Sequence, residues 1–405
     1  MIVLVINCGS SSIKYQVLDM KSDEAYELRA KGVLEKIGLP DSNLVHKPTG
    51  KTPVKIEKPI NDHKNGMKLV LDALVDPETG VLGSFDDIDA VGHRIVQGAA
   101  YFNGSVLIDE DVIKKIGICC DYAPLHNPAH LLGIEAVSQV LPKVPQVAVF
   151  DTAFHQTMEP YAYLYALPYE YYTKYGVRRY GAHGTSHQYV SQRGAKLAGL
   201  DLGNSRIITC HLGNGSSITA VKNGKCIDTS MGFTPLEGMI MGTRCGNIDA
   251  SVVPYLMKKE NLSPDEMTSM MNKKSGFLGM SNGLTSDYRD MKGFADGGNE
   301  MAKTVLDKLI NDIVKNVGGY VAEMNGVDLI IITAGIGENN PGLRKQICEH
   351  FGYLGVEIDD VANDTRSEER IISTPGSKVK VAMIPTNEEL VIGRDTMRIA
   401  SALKK

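Results

Sequence analysis

Long apolar runs, paired cysteines and net charge are all scarce in this chain, and each scarcity removes a class of protein. No stretch of the 405 residues approaches the length of a membrane span. Met1–Ile6 has no basic lead and no cleavage site after it, so it reads as a first β-strand and not as a signal peptide. The seven cysteines (Cys8, Cys119, Cys120, Cys210, Cys226, Cys245 and Cys348) are odd in number, and none stands in C-x-x-C spacing. Reduced thiols in a cytoplasmic protein are the expectation, and a zinc site is not. The formal charge of −5 gives no sign of bulk affinity for nucleic acid or an anionic membrane.

What remains is an ordinary globular composition, 43% hydrophobic and 22% charged, on a chain long enough for two domains. Strand signals at Met1–Ile6, Ile13–Asp19, Ala90–Val96 and Val144–Phe150 alternate with helical patterns at Asp62–Leu74 and Pro128–Val140. Helix followed by strand implies crossover units and a partly parallel sheet. A segment with eight tyrosines, Tyr161 to Tyr180, reads as a surface loop that buries against a subunit or a cleft. A helix is expected from Ser186 to Ala198. A hairpin is expected around Asn223-Gly224, and a long amphipathic helix over Met301–Met324. A buried strand at Asp328–Thr333 and a last helix from Asn387 to Leu403 complete the pattern.

One design occurs twice. Met1–Ile6 runs into Asn7-Cys8-Gly9-Ser10-Ser11-Ser12 and then Ile13–Asp19. Ser205–Cys210 runs into His211-Leu212-Gly213-Asn214-Gly215-Ser216-Ser217 and then Ile218–Val221. Each is a β-type run, a Gly/Ser/Asn turn and a second β-type run. Such a turn offers backbone N–H groups and hydroxyls with little bulk, which suits a phosphate chain. A polar hairpin turn is the plainer account of each loop alone, and their joint occurrence weakens it. Lys14 adds a cation, and Asn7 is a neutral oxygen donor suited to a metal's water shell.

Other groups fit an anionic reaction centre. Gly92-His93-Arg94 ends a strand, Met241-Gly242-Thr243-Arg244 lies in a glycine-bounded loop, and Gly181-Ala182-His183-Gly184 opens a helix. His183 and His187 have i, i+4 spacing but no H-E-x-x-H acid, so anion contact is assigned to His183 and helix structure to His187. Asp151 stands at a strand end as a working carboxylate or a cap. Ala334-Gly335-Ile336-Gly337-Glu338-Asn339 reads as a glycine-rich turn after a strand, but not as a dinucleotide fingerprint, because Asn340 stands where a third glycine belongs. Gly50-Lys51-Thr52 resembles the end of a P-loop, but Val45 stands where the first glycine is required, so it is not one. Glu388, in the first turn of the last helix, is either a metal ligand or a dipole partner.

Taken in order, these blocks resemble the acetate kinases over the whole chain. Val3–Lys14 resembles the family's first signature and Ile207–Ala220 its second, with Gly92–Arg94, Tyr180–His187, Met241–Arg244 and Thr333–Asn339 similar to further family blocks. The resemblance implies an α/β chain of two related domains of the actin-like ATPase (ribonuclease H-like) fold. Mixed sheets are flanked by helices, and a cleft lies between the domains. The expected domains are 1–150 with 389–405, and 151–388. It implies reversible, Mg²⁺-dependent transfer of the ATP γ-phosphoryl group to acetate, giving acetyl phosphate and ADP, by a cytoplasmic homodimer, with Mn²⁺ as the alternative metal.

By the same resemblance Asn7 and Glu388 hold the metal. Ser10, Ser12, Lys14, His211, Leu212, Gly213, Asn214, Gly215, Asp287, Tyr288, Arg289, Gly335, Ile336, Gly337, Glu338 and Asn339 bind the nucleotide. Arg94, Val96, Leu125, His126, Ala182 and Pro235 bind the carboxylic acid, and Asp151, His183, Arg244 and Arg94 are catalytic. Ala182 departs from the family's usual phenylalanine, which leaves room for a longer acid such as propionate. Gln97-Gly98-Ala99 and Cys245-Gly246-Asn247 also depart from the usual residues. The competing readings are a short-chain acyl kinase of other preference, a sugar kinase of the same fold, and an ATP-driven switch.

Overall fold

The computed structural model describes residues 1–366 and 368–403, and the chain forms two compact units. The first is Met1–Ala153 with the segment from Asn387, and the second is Phe154–Thr386.

In the first unit β1 (Ile2–Gly9), β2 (Ser12–Met20), β3 (Tyr26–Glu35), β4 (Asn43–Pro48) and β5 (Val54–Glu57) form an antiparallel run. β6 (Ala90–Ile95), β7 (Val106–Leu107) and β8 (Gln146–Phe150) complete a sheet of order β5-β4-β3-β2-β1-β6-β8-β7, in which β1, β6 and β8 are parallel. The expected alternation of strand and helix is corrected here, because three antiparallel strands, β3 to β5, precede the first helix. Their side chains alternate between a covered and an open face, as Glu27, Arg29 and Lys31 do between Leu28, Ala30 and Gly32, so no continuous apolar run announces them.

The helices His63–Leu74 and Asn127–Val140 bury Met67, Val70, Leu74 and Val137 against Leu4, Ile6, Ile13 and Leu34. Asp62 starts the first of them by accepting from Asn65 N at 2.8 Å. The C-terminal helix Glu388–Ala402 packs on β1, β6 and β8, and Asn387 caps it through Leu390 N. Gly92 permits this packing. A Cβ there would stand 2.3 Å from Thr396 Oγ1 and 2.6 Å from Ile392 Cγ2.

The second unit repeats the core of that sheet. β9 (Arg206–Leu212), β10 (Ser216–Lys222) and β11 (Lys225–Thr229) are antiparallel, and β12 (Leu329–Thr333) and β14 (Lys380–Met383) run parallel to β9. With β13 (Arg370–Ile371) the order is β11-β10-β9-β12-β14-β13, matching β3-β2-β1-β6-β8 strand for strand before the edge. The helix Gly184–Ala198 covers one face through Val190 and Ala195 against Ile207, Leu329 and Ile331. The helix Glu300–Met324 covers the other with Val305, Leu309, Ile313 and Val317, close to the expected span.

Two local expectations are corrected. Ala334–Asn339 is a short helix and not a turn, held at its start by Glu338 Oε1, which accepts from Ala334 N at 2.8 Å and from Thr386 N at 3.0 Å. The tyrosine-rich segment contains two short helices, Pro160–Tyr163 and Tyr169–Tyr175. Of its eight tyrosines, Tyr161, Tyr169, Tyr171 and Tyr175 are exposed and Tyr180 is buried. Among the described residues no helix is long and apolar enough to cross a membrane.

Replacing Gly92 by alanine should therefore separate the C-terminal helix from the sheet. The expected cost is about 1–3 kcal/mol, read as a lower urea midpoint with an unchanged m-value. An unchanged midpoint would mean that the close approach is not tightly held.

Candidate active site

In the first unit the side chains of interest meet at the carboxyl ends of β1 and β6. Asn7 on β1 lies directly opposite Lys14 on β2, so the two share one face of the hairpin. That face borders a cavity of about 210 Å³ lined by Val5, Asn7, Lys14, Gln16, Lys31, Lys47, Arg94, Glu388 and Glu389 among others. Arg94 reaches Asp151 through Nε, at 3.2 and 3.1 Å from the two carboxylate oxygens, and through Nη2 at 2.6 Å. The Asp151 side chain is 1% exposed and that of Arg94 20%. Arg94 Nη1 has no hydrogen bond among the described residues, so one edge of the guanidinium stays available on the cavity. Burial works against the Arg94 charge, but the carboxylates of Asp151 and Glu388 reverse this and raise its pKa.

Glu388 opens the C-terminal helix beside this pair. Its Oε1 is buried and makes no hydrogen bond among the described residues. Burial pushes its carboxyl up to about 7, against the pull of Arg94 and with the added repulsion of Asp151. An oxygen in that condition needs either a proton or a cation.

In the second unit the Gly-rich loop between β9 and β10 carries a different set. His183, at the start of the helix Gly184–Ala198, has φ of +58° and bonds Ser217 Oγ through Nδ1 at 2.8 Å. Its ring stacks on that of His211 with centroids 4.1 Å apart. His211 Nδ1 is 2.8 Å from Ser186 Oγ. Arg244 donates to Pro235 O at 3.0 Å and, unlike Arg94, has no carboxylate partner among the described residues. Burial lowers its pKa. Gly215 brings these groups to one place. A Cβ on it would lie 3.5 Å from Arg244 Nη1 and 3.7 Å from His183 Nε2, so any larger residue would fill the space both donors face.

A second cavity of about 710 Å³ adjoins the same loop. It is lined by Gly213, Asn214, Asp287, Tyr288, Arg289, Gly335, Ile336, Asn339, Asn340 and Arg366. The structure thus gathers eight of the residues expected at a nucleotide. It places others elsewhere: Leu212 is in the hydrophobic core, Gly337 packs against Ile332, and the Glu338 carboxylate is held by the backbone N–H groups of Ala334 and Thr386. Arg289 is tied by the Asp287 carboxylate at 2.8 and 3.0 Å. His187 is fully buried between Thr209 and Ser217, as helix structure requires.

Of the acid-binding set, Val96 is buried and Leu125 is half exposed. Ala182 is buried in a cluster with Met231 and Met241, and Pro235 holds Arg244 through its carbonyl.

The model of the acetokinase family matches residues 2–394. The chain belongs to the acetokinase family. A curated acetate kinase of Fervidobacterium nodosum is 55% identical over 398 residues, 98% of this chain and 97% of its own. The crystal structure of Porphyromonas gingivalis acetate kinase superposes with a TM-score of 0.93 at 46% identity, covering 98% of this chain and 99% of that one. A propionate kinase from Francisella tularensis gives 0.90 at 41% identity, again over 98% and 99%. As an acetokinase-family member the chain is a phosphotransferase whose acceptor is a carboxyl group.

Several residues of this acetokinase-family chain escape a reading of motifs. Lys31 and Lys47 reach the first cavity from β3 and β4, and Asn340 and Arg366 the second. Period-two alternation places Lys31 and Lys47 on the face that carries Lys14, a signal present in the sequence once the strands are known. Nothing local marks Arg366.

Glu388 yields a pH prediction. Its folded pKa lies above the unfolded value of about 4.3, so the folded chain holds more protons than the unfolded one between that value and about 7. Stability of the metal-free protein should fall as pH rises through this window and then level off. Glu388→Gln should make the decline shallower, with Glu323, also pushed up to about 7 by desolvation, retaining part of it. Parallel stability–pH curves for the two proteins would contradict the burial of this oxygen.

Proposed function

We propose that this phosphotransferase moves the γ-phosphoryl group of ATP reversibly onto acetate, and that the Arg94–Asp151 pair is the observation that carries the reading. A guanidinium held by one buried carboxylate, with its Nη1 left over, is a socket for a second carboxylate. The nucleophile is already ionised at neutral pH and needs no base. Asp151, with both oxygens on Arg94, is assigned to hold that guanidinium and not to take a proton. A sugar hydroxyl would need a free base, which this arrangement does not offer.

The acceptor carboxylate is bound by Arg94 and presented to the γ-phosphorus. One acetate oxygen forms a bond to phosphorus as the bond to the β-phosphate oxygen breaks, leaving acetyl phosphate and ADP with no proton transferred. His183 and Arg244 donate to the oxygens of the transferring group, where their fixed positions favour the transition state. The cavity lined by Gly213, Asn214, Asp287, Tyr288, Gly335 and Asn339 is assigned to the nucleotide.

The donor set fits a divalent cation. Among the described residues there is no cluster of three or more His, Cys, Asp or Glu that could hold a metal. Mg²⁺ needs only one or two protein oxygens, because it keeps waters and phosphate oxygens. Glu388, with its orphaned buried Oε1, and Asn7, on the same cavity, would hold it, with Mn²⁺ as the alternative. When bound, the ion neutralises phosphate charge. The exposed Tyr161, Leu167, Tyr169 and Tyr175 support a homodimer, and the seven free thiols support a cytoplasmic protein.

Trapping acyl phosphate with hydroxylamine tests the reading. Acetate should give product ahead of propionate and butyrate, and no product from any acid would end it. Arg94→Ala should raise KM for acetate by roughly tenfold to a hundredfold while changing KM for ATP much less. Equal losses would remove Arg94 from the acceptor site.

Acid length provides a second check. Ala182 packs on Met231 and Met241, both flexible enough to shift. Ala182→Phe should lower the ratio of propionate to acetate kcat/KM, by no more than about 1–3 kcal/mol of discrimination. An unchanged ratio would remove Ala182 from the acid pocket.

A further inference from the structure

His183 is held by a chain of buried hydroxyl and imidazole groups that none of the assigned roles includes. Its Nδ1 is 2.8 Å from Ser217 Oγ, and the same oxygen is 2.7 Å from His187 Nε2. The other nitrogen of His187 is 2.7 Å from Thr209 Oγ1, which lies 3.4 Å from Thr219 O. Ser217, His187, Thr209 and Thr219 are all fully buried. Burial, with repulsion from His155 and His211, pushes the His187 pKa well down, so its ring is neutral and carries one N–H.

The direction of the chain follows from counting protons. Thr209 Oγ1 is 2.7 Å from His187 Nδ1 and 3.4 Å from Thr219 O, so its hydroxyl proton goes to the nearer acceptor, His187 Nδ1. The neutral His187 ring then carries its hydrogen on Nε2 and donates to Ser217 Oγ. Ser217 spends its own proton on His183 Nδ1, which accepts. We infer that Ser217 and His187 are positioning residues that keep a lone pair on His183 Nδ1 and so present Nε2–H, the donor its proposed role requires, to the reacting phosphoryl group. The opposite direction would turn a lone pair on Nε2 toward phosphoryl oxygens.

A second brace acts on the backbone. Cys226, its thiol kept protonated by burial, lies 3.2 Å from His155 Nδ1, and His155 Nε2 donates to Ala182 O at 2.9 Å. That carbonyl immediately precedes His183, whose left-handed φ is costly for a residue with a Cβ. Ring and backbone are thus fixed from two sides, and His183 Nε2 is set beside Gly215 and within the same space as Arg244 Nη1.

The inference rests on the role proposed for His183, and the test separates the two. Long-range ¹H–¹⁵N spectra of the full-length protein labelled in histidine distinguish the tautomers, with the His183 signal assigned by its loss in His183→Gln. The wild-type ring, when neutral, should show a protonated Nε2 and a lone pair on Nδ1. A protonated Nδ1 there would overturn the relay without any variant having to fold.

Ser217→Ala should release that preference and lower kcat by about tenfold or more, with KM for ATP and for acetate within about threefold of wild type. Thr209→Val, at the far end, should act in the same direction. If His183→Gln lowers kcat but Ser217→Ala leaves it unchanged, the relay falls and the role of His183 stands. If His183→Gln itself leaves kcat unchanged, the proposed role falls first.

Discussion

The contact on which the first unit's chemistry depends is the one between Arg94 and Asp151. A guanidinium at the end of β6 would be poorly placed without it, because the Asp151 side chain is almost completely enclosed and the arginine is four-fifths covered. Two side chains in so dry a setting hold each other far more rigidly than a surface pair does. The strand register makes the meeting unavoidable. Arg94 pairs with Val149 across β6 and β8, and Asp151 follows β8 directly, so the sheet delivers the carboxylate to the arginine. What Asp151 contributes is orientation: it occupies Nε and Nη2 and leaves Nη1 facing the cavity.

The same arrangement of strands is put to a different use in the second unit. Both sheets run antiparallel through a hairpin and parallel on the far side of its first strand, and both place a small polar loop at the hairpin turn. In the first unit the loop stands with a neutralised arginine and an acid. In the second it stands with an uncompensated Arg244, two stacked imidazoles and a glycine where a side chain would intrude. A shared scaffold with opposite charge balance suits one reaction in which a monoanion must be oriented and a highly charged phosphate chain must be neutralised.

The sequence disclosed the parts whose chemistry is local. The loops after β1 and β9 are visible as Gly/Ser/Asn turns between apolar runs, and the helix Glu300–Met324 as a sustained apolar stripe. The strands β3 to β5 were less legible. One of their faces is open, so apolar and charged residues alternate instead of forming a block. Ala334–Asn339 looked like a turn because its glycines suit one, whereas the Glu338 carboxylate, accepting from Ala334 N and Thr386 N, makes a helical start affordable. The Glu388 environment could not be read locally at all. An acid in a first helical turn is ordinary, and only the packing of that helix over Gly92 shows that one of its oxygens is shut away from water.

Ser217 shows most clearly why a motif is less than a site. Its place in the second signature invites a phosphate contact, yet its oxygen is already committed to two imidazoles and is fully buried. A hydroxyl has one proton, so spending it on His183 Nδ1 puts that ring's hydrogen on Nε2. Arg244 needs no such control, because it is charged at any relevant pH. An imidazole has two nitrogens that exchange roles freely in water, and only a buried, directional partner removes that freedom. The enclosed hydroxyls thus turn His183 from a residue of the right type into a donor of fixed orientation, and this explains why polar groups are kept in a core that apolar residues could fill.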